Sequence, residues 1–201
     1  MSMNNRMTFF KNAFTFGFLN RRCTLISLLI ISLPLFFINM VNATIFEIEE
    51  SPLAPQRELS LPLVQAGNLS VANTTLKSYE GKVILLDFWA SWCGPCRESF
   101  PWMNKIQAKY KQQDLVIVAI NLDVNSESAY DFLKAIPAEF DILLDSNASL
   151  QESFNVIGMP TSFLLDRKGR IRAQHIGFHL SKTDSYETDI KTLLDEKELV
   201  N

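Results

Sequence analysis

Asp87-Phe88-Trp89-Ala90-Ser91-Trp92-Cys93-Gly94-Pro95-Cys96-Arg97 is the stretch on which the reading of this 201-residue chain turns. Upstream of it, Val83-Ile84-Leu85-Leu86 is a continuous β-favouring run, the pattern of a strand buried on both faces. Downstream, Phe100, Met103, Ile106 and Tyr110 recur at helical spacing. Cys93 is therefore expected where a strand ends and a helix begins. Unpaired backbone N–H groups and the helix dipole favour an anion at that point, which lowers a thiol's pKa and raises its thiolate fraction. The outer cysteine, Cys93, is then the nucleophile. Cys96, one helical turn further in, can attack a mixed disulfide on Cys93 and release the substrate. The pair reads as a redox centre.

Three plainer readings compete with that one. A structural disulfide closing so short a loop removes little unfolded-chain entropy and makes a poor staple. A zinc site would combine the C-x-x-C with the H-x-x-x-H spacing of His175 and His179, but the two halves lie much further apart in sequence than in a finger. Inert buried thiols fit badly with Gly94-Pro95 and the preceding Trp92, which read as a turn and an exposed platform.

Phe88-Trp89-Ala90-Ser91-Trp92-Cys93-Gly94-Pro95-Cys96 closely resembles the active site of thioredoxins, and residues 59–194 resemble their exported TlpA/ResA/DsbE-type relatives. The resemblance implies an α/β, thioredoxin-like fold: a central mixed sheet flanked by helices, with an N-terminal β-hairpin extension and an inserted helix-strand segment. It also implies that Pro160 is the cis-proline that packs against the active-site disulfide. Met159 beside it would expose backbone groups to which an extended substrate can pair like an added strand. Asp87 lies within an otherwise apolar strand, so burial should raise its pKa and let it exchange a proton with the Cys96 thiol. An acid at the matching position of thioredoxins has that role. Ala119 stands where thioredoxins typically place a lysine near that acid, so the tuning of the couple departs from the family pattern here.

The first forty residues differ from the rest. Arg6, Lys11, Arg21 and Arg22 precede an apolar stretch at 24–38 and then Val41-Asn42-Ala43, with no acid before Glu47. That is a signal peptide with cleavage expected after Ala43; an uncleaved membrane anchor is the alternative, and either exports the domain. Cys23 precedes the apolar run and is badly placed for lipid attachment. Without residues 1–43 the chain keeps 15 basic against 22 acidic residues, a formal charge of −7. Such a charge argues against nucleic-acid binding. Two cysteines remain, and in an oxidising compartment they need an electron donor to stay reduced.

Residues 44–57 read as a polar, proline-interrupted linker, and 58–201 as the domain. Two short strands flank Ala66-Gly67-Asn68, and 74–79 is a single helical turn. Residues 115–122 form a second buried strand, 126–136 a helix and 140–144 a further strand. Ser149-Leu150-Gln151-Glu152 fits a capping box opening a short helix. Alternation of this kind predicts a largely parallel sheet. The 126–154 insertion also suits peroxiredoxin-like members, although a peroxiredoxin would not need this C-x-x-C. The turn at Asp166-Arg167-Lys168-Gly169 joins an antiparallel edge hairpin. His175 and His179 are read as surface or edge residues, Trp89 as core, Trp92 as exposed at a partner interface, and 181–198 as an amphipathic closing helix.

The expectation is thus an exported thiol:disulfide oxidoreductase at the periplasm or outer face of the cytoplasmic membrane. Cys93 and Cys96 would be its redox-active disulfide, with no other cofactor. Its partners would be protein disulfide or thiol substrates and a membrane thiol carrier as electron donor. Reduction of exported cysteines, as in cytochrome c or copper-site maturation, is what the resemblance implies. A disulfide-forming oxidase and a non-enzymatic copper-binding or chaperone module are the alternatives.

Overall fold

The computed structural model describes residues 51–65 and 68–196. The residues read from sequence as a signal peptide or anchor (1–43), the first half of the expected linker, Ala66-Gly67 and the last residues of the expected closing helix lie outside the described residues. Among those described, no helix is long and apolar enough to cross a membrane.

The fold is built around β3 (Val83–Trp89), whose seven residues are all buried. Alternation along it divides the core. Val83, Leu85 and Trp89 enter one apolar cluster, whereas Ile84, Leu86 and Phe88 enter the other, as the two-residue period of a strand requires. Parallel to β3 runs β4 (Leu115–Asn121), and parallel to β4 runs β5 (Asp141–Leu144). β6 (Thr161–Leu165) and β7 (Ile171–Ile176) extend the other side as an antiparallel hairpin. β1 (Leu61–Gln65) and β2 (Asn68–Thr74) form the N-terminal hairpin, with β1 antiparallel to β5. The sheet therefore has seven strands in the order β2-β1-β5-β4-β3-β6-β7. The parallel arrangement suggested by alternating strands and helices holds for β3, β4 and β5; the flanking hairpins make the sheet mixed.

One face carries α1 (Gly94–Tyr110), α2 (Ser126–Ala135) and α4 (Thr183–Asp195), which contribute Phe100, Met103, Ile106, Phe132, Ile190 and Leu193 to the first cluster. Trp89 meets Phe100 and Phe132 with ring centroids at 4.8 and 4.7 Å, and Phe100 meets Phe140 at 5.3 Å. Such edge-on and tilted pairs add about 0.5–1.5 kcal/mol each beyond area burial. The other face is covered by Leu76 and Tyr79 of a short 3-10 turn, by α3 (Ser149–Ser153) and by Phe154.

Two local expectations are corrected. Ser149 is not the N-cap of α3. Ala148 takes that position, and the Asp145 carboxylate, at the end of β5, accepts the N–H groups of Ser149, Leu150 and Gln151 at 3.0, 2.8 and 3.3 Å. The second half of the predicted linker is also packed on the domain. Leu53 bridges Arg170, Ile171 N–H donates to Pro52 O at 2.8 Å, and Ala54 is buried. Arg57 lies over the β6–β7 turn beside Gly169, whose φ of +76° is the backbone conformation that calls for glycine.

Candidate active site

The site forms where β3 gives way to α1. Cys93 is the N-cap of α1, with Pro95 in the first turn, where the missing N–H costs nothing. Cys93 Sγ accepts the backbone N–H of Cys96 at 3.2 Å. The two cysteines are joined in a disulfide with their Cα atoms 5.3 Å apart. Both are buried, Cys96 completely, while the preceding Trp92 is 73% exposed. On reduction, the same N–H and helix terminus face the Cys93 sulfur and favour its thiolate.

The loop before Cys93 is fixed by a group that the sequence reading passed over. Asp123, just beyond β4, accepts the Ser91 backbone N–H at 2.9 Å and the Ser91 hydroxyl at 3.0 Å. The Asn121 side-chain amide donates to the same carboxylate at 2.8 Å. Leu122 N–H donates to Trp89 O, and Cys93 N–H to Ala90 O. The turn carrying Trp92 and Cys93 is thus pinned to the end of β4. An Asn-x-Asp directly after a buried parallel strand was the available signal, since sites in such sheets gather at the carboxyl ends of strands.

Asp87 lies in the middle of this core, 1% exposed. Burial pushes its carboxyl up to about 7, and a 2.6 Å hydrogen bond from the Ser162 hydroxyl to Oδ1 opposes that rise. Its other oxygen, Oδ2, is buried and has no hydrogen-bond partner among the described residues. Directly across on β4 is Ala119, fully buried, so no cation offsets the desolvation from that position. Asp87 shares its face of β3 with the cluster that contains both cysteines.

The Met159–Pro160 peptide bond is cis and leads directly into β6, whose first residue, Thr161, pairs with Phe88. Met159 packs against the cluster that contains Cys93 and Cys96. Pro160 O accepts Gly177 N–H at 2.8 Å, while among the described residues no backbone hydrogen bond engages Met159. Trp92, Met159 and Pro160 thus come from two loops at the same end of the sheet as the disulfide.

His175 and His179 do not join the cysteines. His175 pairs with Asp189 of α4 at 2.9 Å, and among the described residues no group of three or more His, Cys, Asp or Glu side chains could hold a metal ion. A cleft of about 10 Å³ instead lies beside Asp87, lined among others by Ser99, Ser162, His175 and Tyr186.

Residues 56–190 match the Redoxin family. The chain is 32% identical to the thioredoxin-like protein YneN of Bacillus subtilis, over 71% of this chain and 81% of that one. It is 34% identical to the thiol-disulfide oxidoreductase ResA of Bacillus thuringiensis, but there the match spans 48% of this chain and 56% of the relative. A solved structure described as a thiol:disulfide interchange protein DsbE, from Chlorobium tepidum, superposes with a TM-score of 0.65 at 42% identity, over 73% of this chain and 98% of that one.

Proposed function

This chain belongs to the Redoxin family, as a thioredoxin-like protein of the TlpA/ResA/DsbE type, and from that premise we propose that it is a thiol–disulfide oxidoreductase of the cell envelope. The observation that carries the reading is the Cys93–Cys96 disulfide at the N-terminus of α1, on the same side of the sheet as the buried, partly unpartnered Asp87. In the reduced protein, the Cys93 thiolate attacks a substrate disulfide, forming a mixed disulfide and expelling one substrate thiolate. Cys96 passes its proton to the Asp87 carboxylate and attacks Cys93 Sγ. The second substrate thiolate leaves, and the intramolecular disulfide is the product. Trp92 would supply an aromatic face to the client, and the free backbone of Met159, next to cis Pro160, would pair with an extended segment around its disulfide.

The direction proposed is reduction. Gly94-Pro95 is the thioredoxin dipeptide, and the basic, then apolar, N-terminal segment supports export to a compartment where this pair needs electrons from a membrane thiol carrier. Clients would be exported cysteines such as those of apocytochrome c or copper-site proteins. The test is the equilibrium potential of the Cys93/Cys96 couple against a defined thiol buffer. A value near or below about −250 mV, in the region of thioredoxin, is expected; one near about −120 mV, in the region of DsbA, would make the protein an oxidase. Absence of a reversible two-electron couple would end the enzyme reading.

A further inference from the structure

Neither Cys96 nor Asp87 has direct access to water, being 0% and 1% exposed. A proton that passes between them must still reach solvent. A row of polar side chains leads outward from Asp87. In the strand register Asp87 of β3 lies opposite Ser162 of β6, and Ser162 lies opposite His175 of β7. Residues directly opposite in adjacent strands share a face of the sheet, here the one that carries α1 and α4. Ser162 donates to Asp87 Oδ1 at 2.6 Å, and His175 Nε2 pairs with Asp189 Oδ2 at 2.9 Å. The side chains become progressively more accessible, with His175 at 19% and Asp189 at 42%. The cleft that Asp87, Ser99, Ser162 and His175 line measures about 10 Å³, room for about one water, and these four offer it the polar partners a buried water needs.

We propose that His175 is the port through which the Asp87 carboxyl exchanges its proton with solvent, by way of Ser162 and a water in the cleft. The inference rests on the thiol–disulfide reading above. When the mixed disulfide resolves, the Cys96–H bond breaks and its proton goes to Asp87. The Cys96 sulfur bonds to Cys93 Sγ, and the Cys93–substrate bond breaks with its electron pair leaving on the substrate sulfur. The proton on Asp87 then moves along the row to His175, whose ring takes a proton at one nitrogen and releases one from the other. A proton returns by the same route when the pair is reduced again. The groups that face His175 are Asp189 and Tyr186 of α4, Ser162 of β6 and, across the cleft, Asp87 of β3, while α1 contributes the uncharged Ser99, Trp102 and Met103.

The test is single-turnover oxidation of the reduced protein by an aromatic disulfide whose thiolate stays unprotonated, in weakly buffered solution with a pH indicator, comparing wild type with His175→Ala and His175→Gln. Attack by Cys93 and resolution by Cys96, which leaves the proton on Asp87, should keep their rates. Appearance of that proton in solution is expected to slow roughly a hundredfold in both variants, the low end of what a positioned proton-transfer group supplies, and added imidazole should restore it in His175→Ala. Proton release that keeps its wild-type rate in both variants, or is slowed but deaf to imidazole, overturns the port while leaving the oxidoreductase reading intact. A wild-type protein that forms no mixed disulfide sinks that reading, and the port with it.

Discussion

Replacing Asp87 with asparagine should change how stability depends on pH. Asparagine keeps the size of the side chain and an oxygen able to accept from Ser162, but it removes the titration. The Asp87 carboxyl rises from an unfolded value near 3.8 to about 7 in the fold. Because the folded value is the higher one, the favourable contribution is complete below about pH 4 and is lost as pH rises towards 7, above which the buried carboxylate is charged in both states. A shift of about three units corresponds to roughly 4 kcal/mol. The wild type should thus lose about 4 kcal/mol relative to Asp87→Asn between pH 4 and pH 8, with the steepest change between those two pKa values. Denaturant unfolding of the two oxidised proteins across this range measures it directly, since every other titrating group contributes to both curves. Parallel curves would refute the argument that burial without a cation raises the Asp87 pKa. A difference growing in the opposite direction would mean that the fold stabilises the carboxylate.

Two further substitutions separate the parts of the site. Asp123→Ala leaves the Ser91 N–H, the Ser91 hydroxyl and the Asn121 amide without their shared acceptor; a loss of about 2–3 kcal/mol in denaturant unfolding is expected, and an unchanged midpoint would show that the loop does not depend on this carboxylate. Trp92→Ala, at a side chain 73% exposed, should change stability by no more than about 0.5 kcal/mol while raising KM for a peptide disulfide, and an unaltered KM would remove Trp92 from the client surface.

The elements nearest the cysteines were legible because their signals are local. Val83 to Leu86 is apolar at every position, and a strand with that pattern has to be covered on both sides; the helix stripe from Phe100 to Tyr110 and the turn at Asp166-Arg167-Lys168-Gly169 carry their own periodicity and turn chemistry. What was illegible depends on which chain ends meet in space. Ser149-x-x-Glu152 has the capping-box pattern, yet Asp145 arrives from the preceding strand with two oxygens aimed at the same N–H groups and displaces the serine. Asp123 looks like one more loop carboxylate until β4 is set beside β3, which brings it under Ser91. Helix–strand alternation alone encodes only the parallel run of β3, β4 and β5; the mixed sheet with its N-terminal hairpin came from the family resemblance, and the edge hairpin of β6 and β7 from its own turn.

The same reasoning explains why Ser162 escaped notice, why His175 read only as a surface or edge residue, and why they matter together. Ser162 opens an apolar run, and its hydroxyl gains meaning only through the pairing of β6 with β3, which sets it against Asp87. His175 lies opposite Ser162 because β7 turns back along β6, with an irregularity in register between Leu164 and Leu165 on the turn side of the pair. A lysine at position 119 would bring a cation to Asp87 from β4; alanine there leaves the carboxyl facing Ser162, the cleft and the outer strand. The departure from the thioredoxin pattern at Ala119 and the polar row towards Asp189 are therefore two halves of one arrangement. Losing the cation raises the pKa of the acid, and an acid poised near neutrality is useful to a buried thiol only if its proton has a way out.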